Sequence, residues 1–241
     1  MATATDVARL RRANDRIVRA VDRELRDLFA ALPLNRPERA RNALLEYLPV
    51  LTDRYGEAAA AVAAEWYDEL RAAERVPGRF RATLAPLTAV EAVEGSVRYA
   101  AGHLFTDAPA AALGVLRGSL VRHVLDPGRG TVRLSTVRDP RTSGWQRIAR
   151  ADGCRFCVML AQRGAVYKDT TVDFASHDDC NCAAAPSWDP DAPEVDVRAY
   201  QVSRRTAHMS PEQREAHNAR AREWMDAYAD ELDSFRAAAG A

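Results

Sequence analysis

Five side chains able to ligate a soft cation lie within 29 residues of one another: Cys154, Cys157, His177, Cys180 and Cys182. Cys154-Arg-Phe-Cys157 is a spacing at which a tight turn presents two thiolates to one ion. After nineteen intervening residues, His177-Asp-Asp-Cys180-Asn-Cys182 offers three more donors. Any four of the five complete a tetrahedron, and thiolate-rich tetrahedral sites favour zinc. A filled site keeps no open position, so the role expected of zinc here is structural. The segment is poor in apolar residues, so metal binding would carry much of its local folding free energy. Other chemistries draw on the same residues. They are a Cys-x-x-Cys redox pair, a cysteine nucleophile with His177 as base, disulfides or a metal-free packed thiol cluster, and a zinc module that binds nucleic acid. The turn and loop signals at Arg163-Gly164 and Thr170-Thr171 speak against a recognition helix between the ligand pairs.

A second set of residues is basic. From Arg117 to Arg155 there are nine arginines against Asp126, Asp139 and Asp152, a net charge near +6. Arg133, Arg138, Arg141, Arg147 and Arg150 are the candidates for contacting DNA or an acidic partner, because clustered arginine binds phosphate without reading sequence. The plainer reading is a solvated, partly exposed stretch. His103, His123, His208 and His217 are scattered and read as surface or satisfied helical histidines. Trp66, Trp145, Trp188 and Trp224 read as packing anchors.

The elements that must position these residues are mostly helical. The 241 residues balance 34 basic against 34 acidic side chains, which excludes a generally basic nucleic-acid binder. All the basic residues but Lys168 are arginine and about one residue in five is alanine, a usage that fits a GC-rich genome and favours helix. The longest apolar run, Ala58 to Ala64, is too short to span a bilayer, and Met1 to Asp6 lack an apolar signal region. Val7, Leu10, Asn14, Ile17, Val21, Leu25, Leu28 and Leu32 recur at helical steps and predict a long amphipathic helix, facing a bundle core or a coiled-coil partner. Asn35 and Pro37 restart a helix that Pro49 should kink and Pro77-Gly78 should end. Further helices are expected over about 86–104 and 109–125. Gly114 and Gly118, one turn apart on the second of these, would permit close helix contact. From Asp126 turn signals and β-prone pieces around Thr131 to Val137 suggest a boundary. Ser210-Pro211-Glu212-Gln213 predicts a capped helix carrying Trp224, Tyr228, Leu232 and Phe235.

The expected organisation is a mainly α chain in four parts. Residues 1–126 form an N-terminal helical bundle, 127–150 a basic linker with short β pieces, 151–188 a small irregular Cys/His module, and 189–241 an acidic linker and C-terminal helix.

Ser143-Gly144-Trp145-Gln146-Arg147, Cys154 to Cys157, Leu160 to Tyr167 (LAQRGAVY), and His177 to Cys182 followed by Pro186 together resemble the minor head proteins related to the F protein of phage Mu, most closely their actinobacteriophage branch. The resemblance covers about residues 138–188. Asp178 and Asn181 stand where the Mu-type run often has proline and arginine. The resemblance implies a non-enzymatic minor capsid protein, made in the host cytoplasm and built into the virion at the portal vertex or the head interior. There it would assist head assembly and DNA packaging or delivery. The implied partners are the portal protein, the major capsid protein and packaged DNA held non-specifically, with no membrane.

Overall fold

The computed structural model describes residues 4–150, 153, 155–162, 167, 174, 176–180, 182–191, 209–227 and 229. The fold is mainly α, as expected. Helices α1 (Ala4–Ala31), α2 (Pro37–Ala73), α3 (Val90–Ala101) and α4 (Ala111–Arg138) make the body, with a 3-10 turn at Gly102–Phe105. A two-stranded antiparallel sheet, β1 (Gly144–Ile148) and β2 (Ala183–Ser187), flanks α5 (Arg155–Ala161), and α6 (Pro211–Ala227) follows. No helix among the described residues is long and apolar enough to cross a membrane.

The stripe on α1 is buried within the chain itself. Val7 and Leu10 join one core cluster, and Val21, Leu25 and Phe29 join another. The second cluster is the bundle core, shared with Leu44, Leu48 and Leu51 of α2, Val93 and Val97 of α3, and Leu116, Leu120 and Val124 of α4. Pro37 sits at the start of α2, where a missing N–H costs nothing, but the N-cap is Arg36 rather than Asn35 and makes no capping bond. α2 runs unbroken through Pro49 and stops at Ala73, before Pro77. Its end is a Schellman closure: Arg75, at φ 52°, donates to the Ala72 carbonyl, and Val76 donates to Arg71.

The expected β pieces at Thr131 to Val137 are helical instead. α4 continues through Pro127 to Arg138, and the turn signals are overridden by packing. Pro127 has no N–H for the His123 carbonyl one turn back, and the Thr88 hydroxyl donates to that carbonyl at 2.8 Å. The amides of Ala85 and Thr83 donate to the hydroxyls of Thr131 and Ser135. These bonds hold residues 83–88 extended along α4, which is why α3 begins at Val90 rather than near Pro86. Gly128 lets α2 close in, since a Cβ there would lie 2.9 Å from the Ala59 carbonyl oxygen. Gly114 and Gly118 do not make that contact. Gly114 faces open space, and Gly118 abuts Asp178 and Asp179.

One cluster contains side chains from both sides of residue 126. Val7, Leu10, Trp66, Tyr67, Leu70 and Val132 pack with Trp145, Cys157, Phe174, Cys180 and Ala183 to Ala185. The capping box at α6 forms as expected, with Gln213 donating to Ser210 Oγ and Ser210 donating to Gln213 Oε1. The side chains of Trp224, Tyr228, Leu232 and Phe235 lie outside the described residues.

His123 is buried at 5% exposure between α4 and α3, with Nε2 2.8 Å from Ser96 Oγ. Burial, and then the Arg122 charge, push its pKa down to about 4. A histidine depressed when folded binds its proton first in the unfolded chain, so its contribution falls as pH drops from about 6.5 towards 4. Urea unfolding at pH 7 and pH 5 should show a loss on the order of 2 kcal/mol from this residue. A His123→Gln chain should lose correspondingly less between the two pH values. An equal loss in both chains would rule out His123 as the source.

Candidate metal centre

Three elements converge on the sulfurs. α5 supplies Cys157, the loop between α5 and β2 supplies His177, Cys180 and Cys182, and β1 sets Arg147 beside them. The loop is held to α4 along one face. Asp179 donates its amide to the Gly118 carbonyl at 3.2 Å, Arg122 pairs with Asp178 at 2.9 Å, and Ser176 meets Asp126 at 3.3 Å. Gly118 gives the loop room, since a Cβ there would lie 3.0 Å from Asp179 Oδ2 and 3.1 Å from Asp178 Cβ. Asp179 itself turns the loop with φ 60°, a conformation that aspartate tolerates better than most residues.

Cys157, Cys180 and Cys182 are 1%, 2% and 5% exposed, and their sulfurs lie within 4.8 Å of one another. No disulfide joins any of the three. Cys157 Sγ and Cys180 Sγ are 3.7 Å apart, and His177 Nε2 is 3.3 Å from Cys157 Sγ. With Zn–S near 2.3 Å and Zn–N near 2.0 Å, a tetrahedral site has edges of about 3.8 Å and 3.5 Å. The Cys157–Cys180 and Cys157–His177 spacings are close to those two edges. His177 Nδ1 lies 2.6 Å from the Asp178 carbonyl oxygen, which can only accept. Nδ1 therefore carries a proton, and in the neutral ring Nε2 presents its lone pair towards Cys157 Sγ, the tautomer a metal ligand needs. Cys154 lies outside the described residues, so the donors brought together are Cys157, Cys180 and Cys182, with His177 beside Cys157 at the edge of the group.

The charge around the sulfurs is positive. Arg147, 3% exposed, points Nη1 at Cys157 Sγ (3.8 Å) and Cys180 Sγ (3.9 Å) and lies 3.9 Å over the Phe174 ring. Arg129, 4% exposed, donates to the carbonyls of Cys182 and Cys180 and reaches Asp126 at 3.8 Å. Guanidinium can only donate, so sulfur must accept, which favours thiolate or metal-bound thiolate. Hydrogen bonds from Cys157 and then Cys182, with the Arg129 charge adding to them, pull Cys180 far below the ordinary thiol range. Cys157 is pushed up, because it holds the proton shared with Cys180 and Cys182. Two buried cations thus face a cluster built to carry negative charge. Three thiolates, one neutral histidine and a divalent ion sum to −1, a charge these arginines can neutralise.

The arginine candidates do not form one surface. Arg138 and Arg141 are exposed. Arg133 is half-buried over Trp145, at 5.7 Å from the ring centroid. Arg150 pairs with Asp15 of α1 at 3.1 Å. Arg147 is a correction: it faces the sulfurs rather than an external partner, because β1 turns it into the core. Arg129 was missed, since the turn signals around Pro127 hid the helix that carries it. Its position one turn beyond Asp126 and two turns beyond Arg122 was the available signal.

No curated protein and no solved structure matches the chain. A family model described as VG15 protein does match, over residues 1–207. That span takes in α1 to α4, both strands and every donor of the cluster, so the chain belongs to the VG15 protein family, whose name points to a phage virion-associated protein.

Proposed function

We propose that this chain is a non-enzymatic minor capsid protein of a phage head, related to the Mu F-like minor head proteins. It sits at the portal or lines the head interior and assists head assembly and DNA packaging or delivery. In this reading its Cys/His cluster holds one structural zinc through four of Cys154, Cys157, His177, Cys180 and Cys182. The observation that carries the structural role is the burial of the donors: a sulfur 1% exposed, as at Cys157, cannot meet a substrate. Four ligands also leave no position for activated water. Zinc, when bound, contributes crosslinking alone. The chain's own residues do the rest: α4 grips the ligand loop through Arg122, Asp126 and Arg129, and β1 aims Arg147 at the sulfurs.

The test is a map of the whole phage particle together with zinc analysis of the purified full chain. The chain is expected at the portal vertex or inner shell, with one zinc per chain. Absence from washed particles would sink the virion role. A zinc-free protein whose buried thiols react at once in native buffer would sink the metal role. Arg147→Met should weaken zinc binding by about 10- to 100-fold in chelator competition, the range typical of outer-shell partners. Unchanged affinity would reduce Arg147 to packing.

A further inference from the structure

The exposed side of α1 is a row of arginines at positions 9, 12, 16, 19, 23 and 26. Steps of three and four residues keep them on one helical face, opposite the buried Val7, Leu10, Val21 and Leu25. The end members are neutralised, Arg9 by Glu69 and Arg26 by Asp22 at 3.0 Å. Arg12, Arg16, Arg19 and Arg23 pair with no carboxylate among the described residues. The acids of the same helix are mostly taken up elsewhere: Asp15 by Arg150, Asp22 by Arg26 and Arg117, Glu24 by Arg54 and Tyr55. Asp27 is exposed at the far end of the row. The four central arginines, with Asp27 as the one exposed acid one turn beyond Arg23, therefore leave a net positive face over about 17 Å of a rigid helix, in a chain whose formal charge is zero.

We propose that this row is a non-specific contact for duplex DNA, guanidinium to phosphate. Two observations favour DNA over an acidic protein surface. None of the exposed large apolar side chains is on α1, so the face lacks the apolar centre that a protein interface normally has. The charges also repeat about every 5 Å along a straight axis, which suits a linear polyanion with one charge per 3.4 Å of strand. This rests on the DNA-packaging or delivery role in the proposed function and moves the expected DNA contact from the middle of the chain to the first helix.

The test uses the full chain and a random-sequence duplex of about 30 base pairs, with affinity followed by anisotropy across a salt series. Each phosphate contact contributes about 0.9 to the slope of log K against log salt. Combined Arg12→Gln, Arg16→Gln, Arg19→Gln and Arg23→Gln should flatten that slope by about 3 to 4. Glutamine is nearly as good a helix former as arginine, so circular dichroism and Tm should be retained. The Arg138→Gln, Arg141→Gln chain should keep its slope to within about one contact. An unchanged slope in the fourfold variant, or no binding of the duplex by the natural chain, overturns the proposal. Polyglutamate displacing DNA at equal charge overturns it too, by making an acidic polypeptide the partner. The fourfold variant should still enter particles, so this inference fails on the slope, whereas the proposed function fails on absence of the natural chain from the particle.

Discussion

Cys180→Ser is expected to abolish stoichiometric zinc and to lower unfolding stability by about 4 kcal/mol at a metal level a thousandfold above its Kd. The substitution is nearly isosteric, so the packing loss is small. What changes is the ligand at the centre of the cluster, 3.7 Å from Cys157 and within reach of Arg147. The loss should be shared by the elements anchored there, β1, α5 and β2, more than by the bundle core of α2, α3 and α4, which packs in a separate cluster. Adding a strong chelator to the natural chain should reproduce the effect, and adding it to the variant should do nothing further. The check is a pair of denaturant titrations with metal analysis, with and without chelator. A chelator-insensitive natural chain would eliminate the metal reading. A variant destabilised equally in both media would point to packing instead.

Arg71→Met should cost about 3–5 kcal/mol, because it leaves a buried carboxylate without its counter-charge. Arg71 and Asp139 pair at 2.8 Å, with side chains 8% and 0% exposed. The same guanidinium donates to the carbonyls of Val76, Pro77 and Gly78, and Trp188 donates to Asp139 at 3.3 Å. The node thus ties the end of α2, the chain after it, the end of α4 and the exit of β2. Burial alone would raise the Asp139 carboxyl; hydrogen bonds from Arg71, the Arg141 amide and Trp188 outweigh it and hold the group below its ordinary value. Its stabilisation is therefore complete above the usual carboxylate range and is lost as pH falls through the depressed folded value. Arg71→Met with Asp139→Leu should be less damaging than Arg71→Met alone. Urea midpoints of the three chains decide it: a double substitution worse than the single would show that the pair is not acting through charge.

Much of the fold was legible in spacing. The apolar steps of α1 and the Leu44 to Leu51 face of α2 required only that 3.6-residue periodicity match a buried stripe. The capping box at Ser210 was legible because both of its hydrogen bonds are local. α4 beyond residue 125 was not, because proline, two glycines and β-branched residues argue against helix locally. They are tolerated where Thr88 satisfies the orphaned carbonyl and Gly128 admits α2. Those partners are about 35 and 70 residues away in the chain, beyond any local pattern. That misreading carried Arg129 with it.

The sequence alone determined which atoms could ligate, since sulfur and imidazole are fixed by residue type and the short Cys-Asn-Cys and His-x-x-Cys spacings. It also determined that helices would dominate and that arginine would supply the positive charge. Only the tertiary structure decided which arginines face solvent and which face sulfur. Exposure depends on the direction in which β1 and α4 enter the core, and a composition of +6 is blind to direction. Arg147 was turned inward onto the sulfurs and Arg129 onto the carbonyls of Cys180 and Cys182, while the row on α1, which the apolar pattern already placed opposite the core, was left facing outward.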